Sequence, residues 1–246
     1  MLRRLDELRN YTLTATDGEI GRCADFLFDD VDWAVRYMVA DTRKWLPGRK
    51  VLVSPHTLQQ PDTRTKHFPI TLSREELKNA PGLEEHEPVS RQYEEAYHRH
   101  FGYAFYWVGT DIWGTYPDAR GALHPVEDFD PERVEIKDSH LRSVEEVTGY
   151  EAYASEGESI GKVHDFLAEE GVWAIRWLVI EAGSWLSKRK LYLASSWTRQ
   201  VDWANRSVLL DLSKASIESS PEIDPDIPFE VTHEKILNAH YDSSRN

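Results

Sequence analysis

One pattern is written twice along this chain, 140 positions apart. Residues 20–55 (IGRCADFLFDDVDWAVRYMVADTRKWLPGRKVLVSP) align without a gap on residues 160–195 (IGKVHDFLAEEGVWAIRWLVIEAGSWLSKRKLYLAS), and 13 of the 36 positions are identical. The same offset pairs Leu72-Ser73 with Leu212-Ser213, Pro81 with Pro221, Pro88 with Pro228 and His100-Phe101 with His240-Tyr241. Upstream, with a one-residue shift, residues 2–11 resemble residues 141–150. Self-similarity of this kind marks two copies of one folding unit. Each copy spans about 100 residues, enough to bury a core unaided. The expected domains are therefore 1–101 and 141–246, joined by a connector at 102–140 that has no counterpart.

Within each copy, β-branched and aromatic residues cluster between turn signals, which predicts a mainly β fold. Strands are expected near 10–14, 20–29, 33–41, 50–54 and 67–72, and again near 149–153, 160–169, 173–181, 190–195 and 207–212. The runs WAVRYMV and WAIRWLV are apolar on both faces apart from one Arg each, which suits strands buried between layers or curled in a small barrel. The fold expected is two tandem small β-barrels with short flanking helices and an irregular, aromatic-rich connector.

Asp25 and Arg36 recur as Asp165 and Arg176. If each hairpin turned about residues 30–31 and 170–171, these side chains would face each other, so a structural cross-strand ion pair is expected in each copy. A proton path is the alternative role. Trp33, Trp45, Trp173 and Trp185 are expected in the core, with Trp45 and Trp185 closing one end of each unit. Cys23 aligns with Val163 and is expected to fill a small core site.

Two helices should follow the strands of the first copy. Ser73 and Glu76 have capping-box spacing. In residues 90–101, Tyr93, Ala96, Tyr97 and His100 share one face. His98 and His100, two apart on that helix, point in different directions and cannot readily share a metal. The acidic turn Asp29, Asp30, Asp32 lacks the rhythm of a calcium loop. No phosphate loop, dinucleotide fingerprint, nucleophile elbow or H-E-x-x-H motif is present, so no catalytic residue, cofactor or metal is expected.

The net charge of -14 and the absence of a Lys/Arg run argue against direct nucleic-acid binding. A lone cysteine excludes an internal disulfide. No apolar run reaches the roughly 18–20 residues needed to cross a bilayer, and the first residues lack the apolar stretch of a signal peptide. The expectation is a soluble cytoplasmic protein. Its connector carries Tyr103, Phe105, Tyr106, Trp107, Trp113 and Tyr116, candidate anchors for a protein partner or else packing between the two units. An acidic stretch follows at 126–135.

The order of motifs resembles the PRC-barrel family: a DG or EG turn, I-G-[RK]-x-x-D-F-L, an acidic turn, W-A-[VI]-R-[YW]-x-V, a W-L loop and R-K-[VL]-x-[VL]. The resemblance covers the first 60 or so residues of each copy, about half the chain. Members include the cytoplasmic part of the H subunit of purple-bacterial photosynthetic reaction centres and the C-terminal half of a ribosome-maturation factor. The resemblance implies a non-catalytic role, holding an unidentified protein partner or acting as a scaffold, with self-association open to it. The alternative it implies is a reaction-centre accessory in electron or proton transfer, touching a membrane complex peripherally without insertion.

Overall fold

A computed structural model describes residues 1–43, 46, 50–82, 89–123, 140–183, 186, 189–224 and 227–243. Trp45, Trp185 and the acidic stretch at 126–135 lie outside the described residues. In chain order the strands begin β1 (Leu2–Arg4), β2 (Thr12–Ala15), β3 (Gly18–Asp29), β4 (Ala34–Asp41), β5 (Lys50–Val53), β6 (His67–Pro69) and β7 (Leu141–Ser143). They continue with β8 (Glu151–Tyr153), β9 (Ser159–Glu169), β10 (Ile175–Ala182), β11 (Lys190–Ala194), β12 (Thr198–Asp202) and β13 (Ser207–Leu210). The helices are α1 (Leu5–Leu8), α2 (Arg74–Asn79), α3 (Arg91–Phe101), α4 (Val144–Val147), α5 (Lys214–Glu218) and α6 (Val231–Ser243). The protein is mainly β, as its sequence pattern leads one to expect.

Two compact units emerge, and their boundaries depart from those expected at 101 and 141. The larger unit holds Glu7–Ser143 with Glu170–Ala174, and the smaller holds Met1–Asp6, Val144–Glu169 and Ile175–Asn246. The larger unit's sheet runs β5-β4-β3-β2-β6, with β7 also on β3. The smaller unit's runs β11-β10-β9-β8-β13-β12, with β1 also on β9. In both, the long central strand (β3 or β9) pairs antiparallel with its hairpin partner, while β2/β6 and β8/β13 are parallel.

The departure comes from short segments that pair away from their neighbours in sequence. Leu2–Arg4 lies on Glu169, Ala168 and Leu167, and Leu141–Ser143 lies on Asp29, Phe28 and Leu27. Three-residue strands with no hydrophobic alternation carry no period-2 signal, so neither β1 nor β7 was legible as a strand. The tip Glu170–Ala174 adds to the larger unit: Ala174 bridges Ala34, and Val35 N–H donates to Trp173 O at 2.8 Å. The Trp173 ring stacks between Phe26 and Phe68, with centroids 6.1 and 6.0 Å away. Trp33 and Trp173 are both buried, and both have positive φ, 53° and 59°. A left-handed aromatic residue costs roughly 1–3 kcal/mol, and burying so large a ring offsets it.

Gly21 and Gly161 explain the glycine of the repeated I-G. Their φ values are 133° and 146°. A Cβ would sit 2.0 Å from Asp41 O in one and 2.1 Å from Glu181 O in the other. Only glycine lets the adjacent strand pass that closely. The neighbouring Ile20 and Ile160 are fully buried, as are Phe26 and Phe166.

The expected Asp25–Arg36 and Asp165–Arg176 ion pairs do not form. Asp25 faces Val39 and Asp165 faces Val179. Irregularities between Cys23 and Asp25 and between Leu27 and Phe28 displace the first ladder, and β9–β10 carries its own. The turn also spans more residues than the pairing assumed, so a register counted from a tight turn is displaced. Ser143 Oγ donates to Asp25 Oδ2 at 2.5 Å instead, and Arg4 Nε donates to Asp165 Oδ2 at 2.8 Å. Arg36 reaches Asp32 at 2.7 Å and Asp29 at 3.7 Å, and Arg176 reaches Glu169 at 2.7 Å.

The helices follow their caps. Ser73 accepts from Glu76 N–H and the Glu76 carboxylate accepts from Ser73 N–H, a complete capping box. Ser90 caps α3 by accepting from Tyr93 N–H, and Gly102, at φ 70°, ends it. Cys23 is fully buried, and burial pushes its thiol pKa well up. No described helix is long and apolar enough to cross a membrane.

Candidate functional site

A polar cluster of the larger unit lies where α3 packs on β4 and β5. Ser54 follows β5 and starts a tight turn at Pro55–Thr57, with Thr57 Oγ1 donating back to Ser54 O at 2.9 Å. That turn presents His56 toward α3. From α3, the three- and four-residue spacing aims Glu94, Tyr97 and His98 inward, and all three are buried. Gly102 then reverses the chain so that Tyr103 and Ala104 return across His98.

Each group in the cluster has an assignable hydrogen-bond role. His98 Nδ1 donates to Ala104 O at 2.7 Å, which leaves Nε2 to accept from the Tyr37 hydroxyl at 3.1 Å. Tyr97 OH donates to Leu52 O and accepts from Ser54 N–H, both at 3.1 Å. Tyr106 OH donates to Glu94 Oε1 at 2.5 Å, and Arg91 Nη1 lies 2.9 Å from the other Glu94 oxygen. The Arg36 guanidinium is buried under the Tyr106 ring, 3.9 Å from its centroid, with Trp113 at 5.1 Å. Its Nη1 donates to Ile112 O at 2.5 Å.

Burial keeps both histidines neutral. Desolvation, reinforced by Arg36 and Arg91, lowers the His98 pKa to about 3 against the upward pull of the Ala104 carbonyl. Desolvation, with His98 and Arg36 adding to it, likewise takes His56 to about 3. Burial and then the Glu94 carboxylate push the Tyr37 phenol well up.

Ser54 Oγ and His56 Nδ1 are 2.5 Å apart, the separation of a nucleophile and its base. Yet Ser54 is 1% exposed and His56 is 4% exposed. His56 lies flat on Tyr103, with centroids 4.7 Å apart, and edge-on to Trp113 at 5.0 Å. Its Nε2 has no protein partner. Both side chains are thus buried among the surrounding rings. Among the described residues, no group of three or more His, Cys, Asp or Glu side chains gathers as a metal site.

The connector residues split by burial. Tyr103, Tyr106 and Trp113 are buried in the larger unit, with Trp113 Nε1 donating to Val172 O at 2.6 Å. They are therefore not the exposed anchors that a free binding arm requires. Phe105, Trp107 and Tyr116 are half-buried. His98 and His100 diverge, one buried and one exposed. The acidic turn is held by cations: Asp30 by Arg142 at 2.8 Å and Asp32 by Arg36.

Sequence reasoning missed Ser54, His56, Tyr37 and Glu94. One signal was present for the last: Glu94 recurs as Glu234 at the repeat offset, and each carboxylate faces the aromatic residue after the repeated Arg. The Glu94 carboxylate lies close enough to help push the Tyr37 phenol pKa up, and Trp177 Nε1 donates to Glu234 at 3.0 Å. No curated protein matches the chain. Residues 140–217 match the model of the PRC-barrel domain, which places that stretch of the chain in the PRC-barrel family.

Proposed function

We propose that this chain is a non-catalytic module that binds or organises other proteins, built from two PRC-barrel repeats. The PRC-barrel domain at 140–217 and the gap-free recurrence of its motif at 20–55 support that reading. One observation carries it. The side chains best suited to chemistry, Ser54, His56, His98 and Glu94, are buried and joined to one another or to the connector. Catalytic groups need a concave, accessible site with shifted pKa values. Here the shifts come with closure, so they mark packing. The net charge of -14 favours protein partners over nucleic acid.

The test pairs crosslinking mass spectrometry on the full chain in cells that make it with turnover assays on the purified protein, using ester, amide and phosphate substrates. Stoichiometric crosslinks to one protein assembly, with no turnover, support the module. Turnover that disappears in Ser54→Ala or His56→Gln variants of unchanged thermal stability would overturn it.

A further inference from the structure

The two units treat one and the same position differently. In the larger unit, Arg36 and Glu94 form the floor of a recess that the connector fills: Tyr106 lies over Arg36 and donates its hydroxyl to Glu94. The residues 140 positions on are Arg176 and Glu234. There the recess is open. Arg176 is 49% exposed, against 0% for Arg36, and it pairs with Glu169 at the surface. A groove of about 580 Å³ lies along it, lined by Leu2, Phe229, Val231 and Glu234 among others.

The floor of this groove is prepared. Phe229 is wedged against Trp177 and Tyr192, with centroids 5.3 and 4.9 Å away. Trp177 Nε1 fixes Glu234 through one carboxylate oxygen. The walls are apolar and exposed, with Val231 at 62% and Met1 at 74%. Among the described residues, two things present in the larger unit are missing here. One is the ring over the guanidinium. The other is the cation on the glutamate, because the position of Arg91 is occupied by Val231. Among the lining side chains, the acidic Glu169, Glu230 and Glu234 outnumber the basic Arg176.

We propose that this groove of the smaller unit takes a segment of a partner protein that carries a Tyr or Trp ring beside an Arg or Lys. The ring lies over Arg176 as Tyr106 lies over Arg36, and the basic group meets Glu234 as Arg91 meets Glu94. The connector's own Tyr103, Tyr106 and Trp113 are buried in their unit, so those rings are not offered to a second copy. The proposal rests on the binding-module reading and names the chemistry of its partner.

The test pans a display library of random short peptides against the immobilised full-length protein. Selected peptides are then measured in solution by fluorescence anisotropy. The expected outcome is enrichment of sequences with Tyr or Trp within two residues of Arg or Lys. Replacing the ring by Ala, or the base by Glu, should weaken binding at least about tenfold. Val231→Arg changes an exposed residue and restores from within the chain the cation seen at Arg91. It should abolish the preference for a basic residue while keeping the preference for a ring. Glu234→Gln should weaken basic peptides more than neutral ones.

Enrichment without an aromatic–basic pair, no enrichment at all, or binding indifferent to both variants overturns the groove assignment. Those results leave the module reading standing, since crosslinked partners could dock elsewhere. Turnover dependent on Ser54 or His56 would sink the module reading and leave a peptide-binding groove unaffected.

Discussion

Asp165 accepts from Arg4 Nε at 2.8 Å, although the two lie 161 positions apart in sequence. Asp165 also accepts from Asp6 N–H at 3.0 Å and from Phe166 N–H at 2.8 Å, so its carboxylate fastens β1 and the start of α1 onto β9. In the larger unit Asp25 does the corresponding work on Ser143, the last residue of β7. Arg4 and Ser143 hold equivalent places in their copies, given the one-residue shift of the upstream segments. The repeated aspartate is thus a latch for a three-residue strand that a hairpin alone could not hold.

Breaking that latch at Arg4 should leave a buried carboxylate with only its backbone donors. Arg4 is 39% exposed, which tempers the loss by solvent screening. Arg4→Met is therefore expected to cost about 1–3 kcal/mol. A double-mutant cycle with Asp165→Asn, followed by urea unfolding, should return a coupling energy of the same sign. Additive losses would show that the two side chains do not support each other.

Acid should loosen the larger unit first. His56 and His98 have pKa values near 3 in the folded protein, below the ordinary value near 6.5. For a base whose folded pKa is depressed, the unfolded chain takes up the proton first. The stability is complete above about pH 6.5 and is lost as the pH falls toward 3, by up to about 1.4 kcal/mol per pH unit for each histidine. The corresponding positions of the smaller unit are Ser196 and Asn238, which do not titrate there. Hydrogen exchange at pH 7 and pH 5 should show protection lost around α3 and β5 before β10 and β11. Equal loss in both would contradict the assignment.

Trp173 lies in the second copy's sequence and stabilises the first copy's core. Trp173→Ala should cost about 3–5 kcal/mol, as for other buried rings cut to alanine. Its signature should be lost amide protection around Phe26 and Phe68, the residues it stacks upon. Protection lost only in the smaller unit would mean that the ring packs elsewhere.

Gly161→Ala should destabilise the smaller unit by at least about 2 kcal/mol. Its φ of 146° is foreign to residues with a side chain, and the added carbon would lie 2.1 Å from Glu181 O. Thermal unfolding is the measurement. A melting temperature within a degree or two of the parent would show that β9 and β10 can part locally without cost.

Much of the fold could be read from residues 20–55 and 160–195. Runs of β-branched and aromatic residues marked the long strands and Ser73 and Ser90 marked the helix starts, whereas the close strand approach at the I-G glycines emerged only from the structure. The cluster around His98 was not legible. Its members come from β4, the turn after β5, α3 and the connector, and no spacing in the chain links Ser54 to Glu94 or Arg36 to Tyr106. The connector was legible as aromatic, with packing as one of its two readings, but composition does not say which surface a ring will find.

The sequence by itself determined the mainly β character, the recurring motif with its PRC-barrel resemblance, and which side chains are too apolar to leave in water. These follow from local periodicity and from burial energies that belong to each residue type. Tertiary structure decided which strand each aspartate holds, where the hairpin tips go, and which of two similar recesses is filled. Those outcomes depend on bulges that shift register by a residue or two and on contacts between distant segments. Single residues do not encode them; the competition among whole packing arrangements does.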